Sequence, residues 1–354
     1  MSAFSRRVLL ALLLLGCRAN TPTPTPEPVF FPDPPDPPRV QFLRAVGSSS
    51  DFQSELSAFD RLVLGSKAAG EPIVTPYGVA VHSGKVLVCD LGRSDVLEID
   101  FATGSLTGLS PGGRAKLRQP VNLAFAPDGT LYIADLERRQ VVVLDPDRRY
   151  RAEFGPFGDE SRPVDVDLRG DELFVTDAGA HCVRVLDRTS GAELRSFGSD
   201  ATCTLRGPTN LALDAVGQAF VTDTIDCRVC VFDAQGAFQR AIGQPGSSIG
   251  SFARPKGIAT FEDQLFVIDS AFENCQVFSA SGAPLMFFGG PGGARGACYL
   301  PAGIWVGTEG LEFFRSEFDH DFEPTALIAV TNFYGSQRVS FYALGRSRRF
   351  RYEN

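Results

Sequence analysis

The sequence predicts an all-β chain folded as a six-bladed β-propeller of four-stranded antiparallel blades, and three observations carry that expectation. Six segments open on a proline, Pro76, Pro120, Pro163, Pro208, Pro255 and Pro301, at spacings of 44, 43, 45, 47 and 46 residues. Each then runs through a short apolar strand, a turn and a second strand that stops at an acid: Val86 to Asp90, Leu131 to Asp135, Leu173 to Asp177, Ala219 to Asp223 and Leu265 to Asp269, with Leu327 to Asn332 putting Asn in that place. No stretch beyond the leader sustains a helical period. A period of roughly 40 to 50 residues with several strands per repeat marks a propeller, because one such sheet cannot bury both its faces alone.

The elements follow in chain order. Arg6 and Arg7 precede the apolar run Val8 to Leu15, the layout of an export signal over residues 1–16. The run is too short to cross a bilayer core, which takes about 20 residues. Its ending, Leu14-Leu15-Gly16-Cys17, resembles a bacterial lipobox, which implies that Cys17 becomes an acylated N-terminus. Two or more acyl chains hold a protein stably at a membrane. Arg18, rather than Asp, follows the cysteine, and the same resemblance then implies an outer-membrane location facing the periplasm or exterior. Residues 17–39 are proline-rich and read as a tether, which in polyproline conformation extends up to roughly 70 Å.

The propeller is expected over residues 40–345. Val40 to Gly47 supplies a strand, and the sixth repeat has no room for a fourth strand after Gln337 to Leu344. The early strand is therefore expected to close the ring and remove an exposed edge. Asp128-Gly129 and Val216-Gly217 mark hairpin turns. Fourth strands are read at Tyr150 to Gly155, Glu193 to Gly198, Phe238 to Gly243 and Pro284 to Gly289. The longest insertion, Gly307 to Thr325, carries Asp319-His320-Asp321-Phe322-Glu323, read as a solvated acidic loop and a candidate partner contact. Residues 346–354 form a basic tail, Arg346-Ser347-Arg348-Arg349-Phe350-Arg351, read as a solvated chain end.

The net charge is -8, and removal of the leader with Arg6 and Arg7 takes it to -10. That balance argues against nucleic acid as a general partner, since phosphate binding needs clustered basic charge.

The segments Pro208-Thr209-Asn210-Leu211-Ala212-Leu213-Asp214, Val221-Thr222-Asp223 and Arg228-Val229-Cys230-Val231-Phe232 resemble NHL repeats. With Arg254-Pro255-Lys256-Gly257-Ile258-Ala259, Leu300-Pro301-Ala302-Gly303-Ile304, Phe42-Leu43-Arg44 and the proline tether, the chain is similar to bacterial six-bladed NHL lipoproteins found alongside multihaem cytochromes. That resemblance implies a role near an electron-transfer assembly. It does not by itself choose among functions, because the fold hosts binding proteins, lyases and lactonases alike.

Each first strand begins at its proline, and the turn after the second-strand Asp returns to the same face, so both loop sets share one surface. Asn122, Asp165, Asn210 and Lys256 are expected to ring the channel mouth there, with Arg93, Arg138, Arg139, His181, Asp226, Glu273 and Tyr334 further out. The repeated aspartates are explained by turn chemistry rather than a metal ring. His82, His181 and His320 fall at unrelated repeat positions, so no catalytic residue, metal or other cofactor is assigned.

Beyond Cys17 seven cysteines remain. Cys182 with Cys203 and Cys275 with Cys298, 21 and 23 residues apart, are the expected disulfides, while the states of Cys89, Cys227 and Cys230 stay open. Cys227 and Cys230 spell CxxC on a strand, where residues three apart face opposite ways, which disfavours a shared metal. The reading is a non-catalytic, surface-anchored binding propeller for a protein partner, a monomeric disc within a complex. The alternative is a metal-dependent propeller lyase or lactonase with its site in the channel.

Overall fold

A computed structural model describes residues 27–33, 35–52 and 70–350. The expected signal peptide, Cys17, residues 18–26 and 34 of the tether and residues 351–354 of the tail lie outside the described residues.

The chain begins with β1 (Val29–Phe31) and β2 (Val40–Val46), then lays down the blades in order. Blade 1 is β3 (Pro76–His82), β4 (Lys85–Asp90), β5 (Asp95–Asp100) and β6 (Ser105–Gly108). Blade 2 is β7 (Pro120–Phe125), β8 (Leu131–Asp135), β9 (Gln140–Leu144) and β10 (Tyr150–Phe154). Blade 3 is β11 (Pro163–Arg169), β12 (Glu172–Asp177), β13 (Cys182–Asp187) and β14 (Glu193–Phe197). Blade 4 is β15 (Pro208–Leu213), β16 (Ala219–Asp223), β17 (Arg228–Phe232) and β18 (Phe238–Ile242). Blade 5 is β19 (Pro255–Phe261), β20 (Gln264–Asp269), β21 (Asn274–Ser279) and β22 (Pro284–Gly289). Blade 6 is β23 (Pro301–Gly307), β24 (Phe322–Asn332) and β25 (Val339–Ser347), completed by β2 and β1. All six expected prolines open an inner strand, and no α-helix occurs among the described residues.

The second strands read as unbroken apolar runs because both of their faces are covered. Val86 and Val88 of β4 pack into the seam with blade 6, beside Leu327, Ala329 and Phe341. Leu87 and Cys89 of the same strand pack into the seam with blade 2, beside Leu123, Leu131 and Ile133. The same division recurs around the ring, so the core is a set of inter-blade seams rather than one central cluster. Burying one Leu, Val or Phe side chain in such a seam contributes about 1.5 to 3 kcal/mol.

Closure follows the expected route, with β2 pairing β25 from Val40↔Leu344 to Val46↔Val339. Blade 6 departs from the expected four strands. Val29–Phe31, assigned to the tether, pairs outside β2 as a fifth strand. The reason is apolar: Phe31 packs on Phe288 and Tyr342, and Phe30 on Phe322. The tail is likewise not free at its start, since β25 runs to Ser347. Arg348 bonds Glu323 at 2.6 Å and Arg349 pairs with Asp321.

The insertion after β23 folds back on the seam between blades 6 and 1. Phe314 is buried there with Phe313 packed against it, and Glu317 pairs with Arg44 at 2.5 Å.

Candidate functional site

The two faces of the disc are built differently. On the face where the inner strands begin, the proline face, four of the five second-strand acids hold two loops at once, while Asp223 takes Arg206 N and Gly207 N of the loop ahead and the Arg228 guanidinium. Asp90 accepts the backbone N–H groups of Val74 and Thr75 ahead of the inner strand and those of Gly92 and Arg93 in the following turn. Asp135 binds Arg118, Gln119 and Arg138 in the same way, and Asp269 binds Ala253, Arg254, Ala271 and Phe272. Asp177 adds the Ser161 hydroxyl and the Arg184 guanidinium; against the raising effect of burial, the Arg162 N–H, the Ser161 hydroxyl, the Ala180 N–H and the Arg184 guanidinium hold its carboxyl below the usual range. Asn332 substitutes in blade 6, accepting from Tyr299 N and donating to the Gln337 carbonyl. The acids are thus structural pins, as turn chemistry predicts.

The pins leave the preceding side chains outward. Arg118, Arg162, Arg206 and Arg254 each stand one or two residues before an inner-strand proline, are exposed, and have their own N–H on a pin. Arg206 pairs with Asp226 at 3.1 Å. Among the described residues no carboxylate pairs with Arg118, Arg162, Arg254 or the nearby Lys116. A groove of about 630 Å³ runs between the loops leading into blades 2 and 3, lined by Arg114, Lys116, Arg118, Arg138, Arg139 and the acids Glu137, Glu153 and Asp159.

The channel is pinched shut at this face. A Cβ on Gly303 would lie 2.1 Å from the Tyr77 carbonyl oxygen, and one on Gly257 2.5 Å from that of Ala302, so only glycine lets the inner strands meet there. Tyr77 crosses the ring, its hydroxyl donating to Asn210 Oδ1 at 3.3 Å, and packs with Val121, Ala302 and Phe333. Below the plug a cavity of about 640 Å³ opens toward the opposite, hairpin face, where Trp305, Phe125, His82 and Glu309 line its mouth. His82 stacks on Phe125 at 4.7 Å.

Asp165 and Asp167 line this cavity yet serve the fold. Their Oδ2 atoms accept the N–H groups of Leu211 and Leu213 in the next blade, at 2.8 and 3.1 Å, closing inner-edge donors that the sheet leaves unpaired. Burial pushes the Asp165 carboxyl up to about 8 and that of Asp167 up to about 6.

The residues expected at the channel mouth therefore separate. Asn122, Asp165 and Asn210 share one ring inside the cavity, each two residues after its proline. Lys256 stands one residue after Pro255 and lies in a separate recess on the proline face. Of the outer set, Arg93 bonds Glu71, Arg138 bonds Glu153, Arg139 bonds Asp159, Asp226 bonds Arg206 and Arg228, and the Glu273 carboxylate accepts Leu300 N. His181 and Tyr334 remain exposed, Tyr334 edge-on to Tyr299 at 6.2 Å. The unpaired arginines escaped the sequence reading, although their signal, an Arg just ahead of four of the repeat prolines, is visible there.

Among the described residues the one cluster with metal-ligand spacing is Asp319, His320 and Asp321, within 4.8 Å of one another. The Arg349 guanidinium already sits on it, 3.2 Å from His320 Nε2 and paired with Asp321.

All seven cysteines among the described residues are thiols. Cys203 lies with its sulfur 3.5 Å from that of Cys230, the residue whose pairing the sequence left open. Cys298 shares a seam with Cys275 and contacts the Tyr342 hydroxyl at 3.7 Å.

No protein-family model matches the chain, and no curated protein does. Solved structures do. Selenomethionine-substituted virginiamycin B lyase from Staphylococcus aureus aligns with a TM-score of 0.51 at 16% identity, covering 77% of this chain and 85% of that one. A streptogramin B lyase aligns at 0.53 and 12%, covering 77% and 94%. A protein of unknown function from Bacteroides thetaiotaomicron VPI-5482 aligns at 0.58 and 14%, covering 86% and 75%. Likeness at this identity shows the propeller fold alone.

Proposed function

We propose that the chain is a non-catalytic binding propeller that docks an acidic protein partner on its proline face while Cys17 and the proline-rich segment hold it at a membrane surface. One observation carries the reading: unpaired Lys116, Arg118, Arg162 and Arg254 gather on one face of a chain whose net charge is -8. A basic surface on an acidic molecule orients an approaching acidic partner and speeds encounter. Exposed Tyr334, Tyr299 and Ile225 on the same face supply apolar contact of the kind interfaces enrich. The resemblance to lipoproteins found beside multihaem cytochromes makes a haem protein the partner to look for.

Affinity capture of the full chain from membranes, comparing the native protein with an Arg118→Glu, Arg162→Glu double variant, tests this. A haem-containing band that the native chain retains and the variant loses, and that elutes with salt, is the expected outcome. Equal capture by both removes the proposed face from the interaction. Metal analysis addresses the lyase or lactonase reading: stoichiometric Ca²⁺ or Zn²⁺ in the purified protein turns the assignment toward a channel enzyme.

A further inference from the structure

At the centre of the proline face, beside the Tyr77 plug, lies a recess of about 150 Å³ lined by Tyr77, Arg254, Lys256, Ser270, Leu300, Ala302 and Phe333. Its wall is apolar on one side, where Tyr77, Ala302 and Phe333 pack together. Its other side carries two cations and no acid. Lys256 makes no ion pair or hydrogen bond to any described residue, and neither does the Arg254 side chain. Burial pushes the Lys256 ammonium down to about 8, and the neighbouring Arg254 pushes the same way. A half-buried charge with a like charge beside it and no counter-charge is unfavourable in the isolated protein, and an anion relieves both penalties at once.

The donors present decide which anion. The Tyr77 hydroxyl is spent on Asn210 and the Ser270 hydroxyl on the Pro301 carbonyl at 2.7 Å, so the recess offers an ammonium and a guanidinium and no further side-chain donor. Two donor groups match the two oxygens of a carboxylate, whereas a phosphate would leave oxygens desolvated and unmet. The volume holds a short stem and the apolar wall favours a hydrocarbon one.

We propose that the Lys256–Arg254 recess binds a carboxylate on a short apolar stem, which, resting on the docking reading above, the acidic partner inserts at the disc centre. Lys67, Lys85, Lys116 and Lys256 are the chain's only lysines, so reductive ¹³C-methylation of the full chain gives few resonances to follow. The Lys256 resonance is assigned by its loss in Lys256→Gln, a variant that removes an unpaired charge and leaves every pin intact. Butyrate is the probe, with butyramide and inorganic phosphate as controls. The expected result is a saturable shift of the Lys256 methyl resonance with butyrate alone, its half-saturating concentration raised roughly tenfold by Arg254→Ala, the loss of one of two charged contacts. No shift, or equal shifts with butyramide or phosphate, overturns the proposal.

Affinity capture with Lys256→Gln then separates the sources. Weakened partner retention by the variant assigns the carboxylate to the partner, and unchanged retention, where the native chain binds butyrate, assigns it to a free small molecule. No butyrate binding by the native chain together with intact, arginine-dependent capture defeats this site and leaves the docking face standing; butyrate binding by the native chain with capture that does not depend on the arginines defeats the face and leaves the site.

Discussion

Asp269 shows how a single buried carboxylate organises this fold. It is inaccessible to solvent and accepts four backbone N–H groups from two loops. Each buried donor left unmet costs about 1 to 3 kcal/mol, so Asp269→Ala is expected to lower unfolding free energy by at least about 3 kcal/mol, measured by urea denaturation. Asp165 differs because it ionises poorly. Its carboxyl is pushed up to about 8 in the fold, against about 3.9 unfolded, so between those values the folded chain holds a proton that the unfolded chain has lost. Its contribution is whole below about pH 4 and disappears as pH rises through about 8, with Asp167 adding a fall that ends near about 6. Asp165→Asn is therefore expected to flatten the decline in denaturation midpoint from about pH 5 to about pH 9, and an unchanged slope would assign the decline elsewhere. The thiols give a third test. Cys203 and Cys230 stand close enough that a disulfide, about 2.05 Å between sulfurs, needs only a small approach. Refolding with an oxidised dithiol reagent, which takes up one hydrogen from each cysteine, is expected to yield a Cys203–Cys230 peptide on non-reducing digestion. A Cys182–Cys203 peptide instead would restore the pairing expected from the repeat.

At the scale of elements, the repeat was legible because every blade solves the same problem. The proline that starts an inner strand and the acid that ends the next are paired in the ladder, Pro76↔Asp90 through Pro255↔Asp269, so their spacing in sequence is their register in space. The ring closure was legible because Val40 to Gly47 reads as a strand that no early blade claims, and it pairs with β25. Val29–Phe31 was not, since three apolar residues inside a proline-rich run carry no period, and only Phe288, Tyr342 and Phe322 give them something to bury against. The separation of Lys256 from Asn122, Asp165 and Asn210 was hidden for a related reason: it depends on Tyr77 reaching Asn210 across 133 residues, which no local pattern encodes. Closure itself can be tested by truncation. Starting the chain at Pro35 removes β1 and leaves β2 in place, and the disc is expected to stay folded with a lowered melting temperature. Starting it after Gly47 bares the edge of β25, and aggregation is expected, because an unpaired edge with an apolar seam behind it recruits other chains. A soluble, cooperative product from the second truncation would show that β2 is dispensable.

For the whole molecule, the route of the N-terminal chain decides what the arginine-bearing face can meet. Residue Glu27 lies beside the loop leading into blade 6, its carbonyl accepting from Arg295 Nη1 at 2.8 Å, and that loop belongs to the proline face. The chain thus joins the disc at its rim on the basic side. Because β1 takes up part of the expected tether, the span from Cys17 to Glu27 reaches at most roughly 30 Å even in extended polyproline form. If Cys17 carries the proposed acyl anchor, a disc held that near it keeps its basic face at a high effective concentration relative to any partner on the same membrane. Inserting a flexible Gly-Ser segment of about 40 residues between Cys17 and Glu27 dilutes that concentration without touching a contact. Capture of a membrane-resident partner in proteoliposomes is then expected to fall several-fold, while binding of the same partner to the unanchored disc in solution stays unchanged. Equal retention with both tethers would mean that the partner comes from outside the membrane, and retention by vesicles of anionic lipid alone would replace the protein partner with the bilayer surface.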